Sequence, residues 1–373
     1  MMLFSYWRKL VVVIVVFSTV ILVSDSTAGG DHHHHHHHQE NGNGTMPSSF
    51  IGVIIFGDSI MDTGNNNFLP TISKCNFPPY GKDFPGHRAT GRYSNGKVPS
   101  DLIASRLGIK EFVPAYLSPE LESKDLITGV CFASGASGYD PLTSQLNSVL
   151  SMDHQLELFQ DYKLKLQENV GKIRANTIVE KSLYVISSGS NDVANTYFTG
   201  LLRSTHYSFS DYAALLVQSA SSFIQDLHQL GARNIAILSL PPLGCLPSQR
   251  TLAGGLLRDC VPLYNQAAQE YNTLLIKEIK SLSNKFSGSK IIYVDIYNKL
   301  LDIIERPKHY GFEVSTNGCC GTGRLELGIL CKLSGKTCID DTKYVFWDTF
   351  HPTQRAYEIL VDLVVKEDIA LLY

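Results

Sequence analysis

Serine and histidine carry the chemistry in this chain, and their spacing says what kind. Ser59 sits in the tripeptide Gly57-Asp58-Ser59, directly after an apolar run. A serine hydroxyl is a poor nucleophile until a base takes its proton. The natural base is His351, because imidazole titrates near neutrality. Asp348, three residues earlier, accepts the other ring N–H, fixing the tautomer and stabilising the imidazolium. Attack on an ester carbonyl creates an oxyanion that needs preorganised donors. The backbone N–H groups of Ser59 and Gly138 and the side-chain amide of Asn191 are suited to that task. Two glycines compete in the block Ala133-Ser134-Gly135-Ala136-Ser137-Gly138, and Gly138 is favoured over Gly135. Each fragment alone has an ordinary reading. Gly-Asp-Ser is a turn tripeptide, Asp348 could cap a helix, and Gly-Ser-Asn-Asp at 189–192 is common loop chemistry. Taken together and in order, they read as one site.

That site needs a scaffold bringing distant segments to one rim. Near-continuous apolar runs at 51–56, 127–132, 183–187, 235–240 and 291–296 predict strands covered on both faces. Between them lie helical periods. One runs through Tyr212, Leu216, Phe223, Leu227 and Leu230, closed by Gly231; a second through Tyr264, Ala268, Tyr271, Leu275 and Leu282. A last one follows Pro352 through Ala356, Leu360, Leu363 and Val364. Alternation of strand and helix predicts an α/β fold with a parallel sheet. In such sheets ligands bind outside the carboxyl ends of the strands. Ser59, Gly138 and Asn191 each follow a predicted strand, and His351 precedes the last helix.

The residues also resemble a known family. The stretches FGDSIMDTGNNN, PPYGKDFPGHRATGRYSNGK, GCCGTG and FWDTFHPT, with the four ordered blocks above, resemble the GDSL-type (SGNH) hydrolases, and within them the secreted plant esterase/lipases of the extracellular-lipase subgroup. The resemblance covers essentially all of residues 50–373. It implies a three-layer α/β/α, flavodoxin-like fold around a mainly parallel five-stranded sheet. It also implies Ser59 as nucleophile, an Asp348–His351 pair, Gly138 and Asn191 as oxyanion donors beside the Ser59 N–H, and no cofactor or metal. The activity implied is hydrolysis of carboxylic esters of lipid, cell-wall or polymer origin, in the apoplast or cell wall. An acyltransferase using the same serine, or a binding protein with a decayed site, are the rival readings.

The remaining features bound the organisation. The chain has 373 residues, 32 Lys+Arg against 35 Asp+Glu, and 44% hydrophobic residues. A slightly acidic globular chain gives no footprint for nucleic acid. Residues 1–28 read as a signal peptide, with Arg8-Lys9, an apolar run 10–23 and a small-x-small site at Ser26-Thr27-Ala28. The run is shorter than the ~20 residues a bilayer span needs, so no obligate membrane anchor is expected. Residues 29–49 are a His-, Gly- and Asn-rich tail carrying the sole N-x-S/T sequon, at Asn43. Residues 50–373 form the folded domain. All 8 Cys lie beyond the leader, and an even count in an oxidising compartment favours disulfides. Spacing does not choose their pairing. The group Cys319, Cys320, Cys331 and Cys338 lacks the paired hooks of a zinc site, and stapling of a long loop is preferred. A second irregular stretch, 76–99, is rich in Pro, Gly and aromatics. Its Tyr80 and Phe84 are candidates for shaping acyl or alcohol selectivity. Asp58, Asp62 and Asn65–Asn67 lack cation-loop spacing and are expected to shape their own loop.

Overall fold

A computed structural model describes residues 49–373. The leader expected at 1–28, Asn43 and all but the last residue of the tail expected at 29–49 lie outside the described residues. Four of the five predicted strands form one parallel sheet: β1 (Val53–Gly57), β2 (Leu183–Ser187), β3 (Asn234–Leu238) and β4 (Lys290–Val294), side by side in that order. The side chains of β1 to β3 are nearly all buried, as continuous apolar runs require when helices cover both faces, while the edge strand β4 is partly exposed.

The fifth predicted strand, 127–132, differs. It runs parallel beside β1, where Ile55 N donates to Val130 O (3.1 Å) and Phe132 N to Ile55 O (2.8 Å), but it joins the sheet only through an isolated bridge, Ile55 to Cys131. The reason is local. Gly129 has a φ of 90°, and a Cβ there would fall 2.0 Å from Val53 O, so the segment departs from extended geometry beside β1. Its other edge meets 114–116, where Cys131 N donates to Pro114 O and Tyr116 N to Cys131 O. A short two-stranded parallel sheet, β5 (Val314–Gly318) with β6 (Tyr344–Phe346), lies further along the chain.

Register separates the two faces. Phe56, Ile186 and Ile237 are aligned neighbours, so their side chains share one face. There Phe56 meets Phe159 of helix α2 (Met152–Val170) and Phe223 of helix α4 (Phe209–Gln229). The intervening α3 (Lys172–Lys181) leads into β2, and α5 (Pro262–Lys285) packs on α4. The alternate residues Ser187 and Leu238 face the opposite layer of α1 (Pro99–Arg106), α6 (Ile296–Glu305) and α7 (Gln354–Glu367). The result is the expected α/β fold with helices on both faces of a parallel sheet. The last helix begins at Gln354, with Thr353 as its cap, so Asp348 is not the cap.

Cysteine usage is partly as expected. Cys319–Cys338, Cys320–Cys331 and Cys245–Cys260 are disulfides, and the first two staple the long segment before β6. Cys75 and Cys131 depart from the even-count expectation: both are buried, free thiols.

Candidate functional site

Gly57 ends β1 and turns the chain so that Ser59 stands at the carboxyl edge of the sheet. Its φ is 131°, and a Cβ there would stand 1.9 Å from the Ser187 carbonyl oxygen. Only glycine fits. Gln155 of α2 brackets this residue, accepting from Gly57 N and donating to Gly57 O, both at 2.9 Å.

Ser59 and His351 meet across 292 positions of sequence. The Ser59 hydroxyl and His351 Nε2 are 2.7 Å apart. His351 Nδ1 faces Asp348, 2.8 Å from Oδ2 and 3.0 Å from Oδ1. Asp348 is wholly buried, and its carboxylate is fully employed: Oδ1 accepts from Phe350 N (2.8 Å) and His351 N (2.7 Å). Those two bonds make a tight Asx turn holding acid and base in one rigid unit. The Tyr80 hydroxyl donates to Oδ2 at 2.8 Å and accepts from Gly328 N at 2.8 Å. Tyr93 stacks obliquely on the imidazole, ring centres 5.0 Å apart.

The donors expected for an oxyanion sit on adjoining loops. Asn191 Nδ2 donates to Ser137 O (2.9 Å), setting the side-chain amide beside Gly138, and Asn195 holds its oxygen from the other side. Asp192 accepts from Tyr139 N (2.8 Å), Asp140 N (3.2 Å) and the Thr143 hydroxyl (2.6 Å), clamping the loop. A Cβ on Gly138 would fall 2.2 Å from Asp192 Oδ1. The choice between glycines has a geometric basis here. Gly135 N already donates to Asp62 Oδ2 (2.9 Å), whereas the N–H groups of Ser59 and Gly138 have no protein acceptor among the described residues.

Burial perturbs the carboxylates around this edge. Desolvation raises Asp58 to about 7, Asp62 to about 6 and Asp192 to about 7, against hydrogen bonds that pull each down. Asp58 is the least compensated: Oδ1 accepts from Ile60 N, while Oδ2 has no protein partner.

Three expectations change. Tyr80 does not border a substrate cleft: it is 1% exposed and braces the acid. Phe84 is buried against Phe112 and Arg92. The asparagine run shapes more than its own loop. Asn65 donates to Cys131 O (2.9 Å) and Ala133 O (2.8 Å), and Asn66 to Gly135 O (2.9 Å), tying the serine loop to the edge segment that carries Gly138. Among the described residues, no cluster of three or more His, Cys, Asp or Glu is placed to hold a metal ion, and no helix is long and apolar enough to cross a membrane. Sequence reading missed Tyr80 as a brace and Gln155 as a clamp; the long reach of both contacts hid them.

A parallel α/β sheet with a serine, a histidine and a carboxylate aligned at its carboxyl edge is an arrangement that serine hydrolases share. The family model for GDSL-like lipase/acylhydrolase matches residues 53–364, so the chain belongs to that family and is a carboxylic ester hydrolase. Similar curated proteins are the Arabidopsis thaliana GDSL esterase/lipase EXL3, 50% identical over 84% of this chain and 86% of its own, and the Arabidopsis thaliana GDSL esterase/lipase At5g42170, 51% identical over 83% of this chain and 84% of its own. Among solved structures, an acetylxylan esterase from Geobacillus stearothermophilus aligns over 87% of this chain and 95% of its own, at 13% identity and a TM-score of 0.39.

Proposed function

We propose that the protein is a secreted serine esterase or lipase working through an acyl-enzyme on Ser59. His351 Nε2 accepts the serine proton as Oγ attacks the ester carbonyl. The tetrahedral oxyanion is held by the N–H groups of Ser59 and Gly138 and the Asn191 amide. Asp348 stabilises the imidazolium, which then protonates the departing alcohol. Water enters, is deprotonated by His351, and releases the acid. The observation that carries this reading is the 2.7 Å separation of Ser59 Oγ and His351 Nε2, with Asp348 on the far ring nitrogen. Three disulfides support residence in an oxidising compartment, which extends the proposal to the leader at 1–28 and glycosylation at Asn43. Ester-linked acyl groups of lipid, cell-wall or polymer origin are the substrates proposed.

The test is Ser59→Ala. Hydrolysis of a p-nitrophenyl acyl ester and labelling by a fluorophosphonate both disappear while the melting curve is retained. Full residual activity in that variant overturns the nucleophile assignment. Transfer of the acyl group to an added alcohol in preference to water would reassign the enzyme as an acyltransferase.

A further inference from the structure

An apolar cavity of about 50 Å³ lies below the carboxyl ends of β1, β2 and β3, on the face covered by α1, α6 and α7. Its position relative to the site follows from the chain. Ile60 adjoins Ser59, Ser190 adjoins Asn191, and Phe350 and Pro352 flank His351; all four line it. The half-buried members of the lining, Ile60, Ser187 and Pro241, stand at the strand ends, the edge that also carries the serine, although Ser59, Asn191 and His351 are not themselves part of the lining. Its floor is apolar apart from the Tyr357 hydroxyl, which has no hydrogen-bond partner among the described residues. Tyr357, Leu360, Val361 and Val364 share one face of α7 at helical spacing, with Leu238 and Leu300 opposite. From Tyr357 to Val364 this wall runs about 10 Å. No charged side chain lines the cavity, and the Ser239 hydroxyl is already occupied by Ile296 N and Tyr297 N. Such a space, mostly hydrocarbon with a few isolated hydroxyls and no charge, favours an apolar chain over a charged one.

We infer that this cavity receives the acyl chain of the ester, and that the enzyme selects short to medium linear acyl groups. The inference rests on the proposed function. With the carbonyl carbon at Ser59, the chain enters past Ile60 and Phe350 and ends against Val361 and Val364. A water-sized group needs ~10–15 Å³ on this measure, so the space holds about four methylene-sized groups. Acetyl leaves it empty. Palmitoyl overfills it. Each buried methylene raises kcat/KM about three- to fourfold, so hexanoate exceeds acetate by on the order of a hundredfold before the gain stops.

The experiment is a chain-length series of p-nitrophenyl esters, acetate through butyrate, hexanoate and octanoate to palmitate, on the wild type, Val361→Phe and Val364→Ala. In the wild type kcat/KM peaks between butyrate and octanoate. Val361→Phe fills the cavity and lowers hexanoate hydrolysis far more than acetate hydrolysis. Val364→Ala deepens it and moves the peak toward longer chains. Acetate turnover and a melting curve report whether each variant is folded. A flat wild-type profile, or a Val361→Phe loss equal for every chain length, overturns the assignment of the cavity while leaving the serine mechanism standing. Failure of fluorophosphonate to label Ser59 in the wild type overturns both.

Discussion

Tyr80→Phe isolates a brace that has no counterpart in a bare serine–histidine–aspartate arrangement. It removes one oxygen and keeps the ring among Phe77, Tyr93 and Trp347. Burial and the neighbouring Asp348 carboxylate push the Tyr80 phenol well above its ordinary range, so its hydroxyl stays protonated and donates to Asp348. Two bonds go with it: the donation to Oδ2 and the acceptance from Gly328 N. A hydrogen bond to a charged group is worth about 1.5–3 kcal/mol, and an orphaned buried donor costs a comparable amount. Shared over one oxygen these do not add fully, so the expected loss of unfolding free energy is about 2–4 kcal/mol. Asp348 keeps its bonds from Phe350 N, His351 N and the imidazole, so its placement survives. If about 1.4 kcal/mol of the loss is felt in the transition state, kcat/KM falls about tenfold. Denaturant unfolding and steady-state rates measure both effects. An unchanged unfolding midpoint with an unchanged kcat/KM would refute the brace.

Two further perturbations act elsewhere on the site. Burial raises Asp58 to about 7 from its ordinary 3.8. Its protonated form is favoured by the fold, so that stabilisation is complete below pH 3.8 and is lost as pH rises through about 7. Asp58→Asn keeps an acceptor for Ile60 N and cannot ionise, so its stability relative to wild type rises from pH 5 to pH 8 by on the order of 3 kcal/mol, the two pH units between 5 and about 7. Equal differences at the two pH values would contradict this. Gly138→Ala drives a Cβ against Asp192, a carboxylate that three donors prevent from yielding, so the loop carrying the 138 N–H shifts instead. Loss of a donor of this kind lowers kcat ~10²–10³-fold; a kcat within about threefold of wild type would remove Gly138 from the oxyanion site.

Much of this arrangement was readable from residue order because it depends on short range. Strands β1 to β4 announce themselves as apolar runs, since both faces are covered. Asp348 and His351 are readable as a pair because two intervening residues let one turn hold both. What stayed hidden depends on long range. Residues 127–132 have the composition of a strand, but the positive φ at Gly129 breaks the extended run and leaves a bridge at Cys131. Tyr80 sits in a Pro- and Gly-rich stretch whose look is that of a surface loop, while its hydroxyl reaches an acid 268 positions away. Aromatic content there signals burial rather than a substrate-facing rim. Cysteine spacing likewise carries no pairing information, and Cys75 and Cys131 stay thiols although their number is even, because they sit in separate clusters of the core.

The base and its acid come from a segment outside the main sheet, and two of the three crosslinks fall beside it. The segment around 347–351 is not carried by the main sheet. Its backbone is held by Cys320 N donating to Trp347 O (2.8 Å), Cys319 N donating to Phe346 O (3.0 Å) and Trp347 N donating to His351 O (2.8 Å). Cys319 and Cys320 are each tied to a second strand of loop, at Cys338 and Cys331. Gly328, between those anchors, donates to the Tyr80 hydroxyl that braces Asp348. A segment with few ladder bonds loses much chain entropy on ordering, and closing short loops covalently removes part of that loss from the unfolded side. The serine needs no such help, because β1 and the bracketing Gln155 hold its loop. One half of the site is thus positioned by the sheet and the other by crosslinked loops. The placement of His351 relative to Ser59 therefore depends on the crosslinked segment holding its shape.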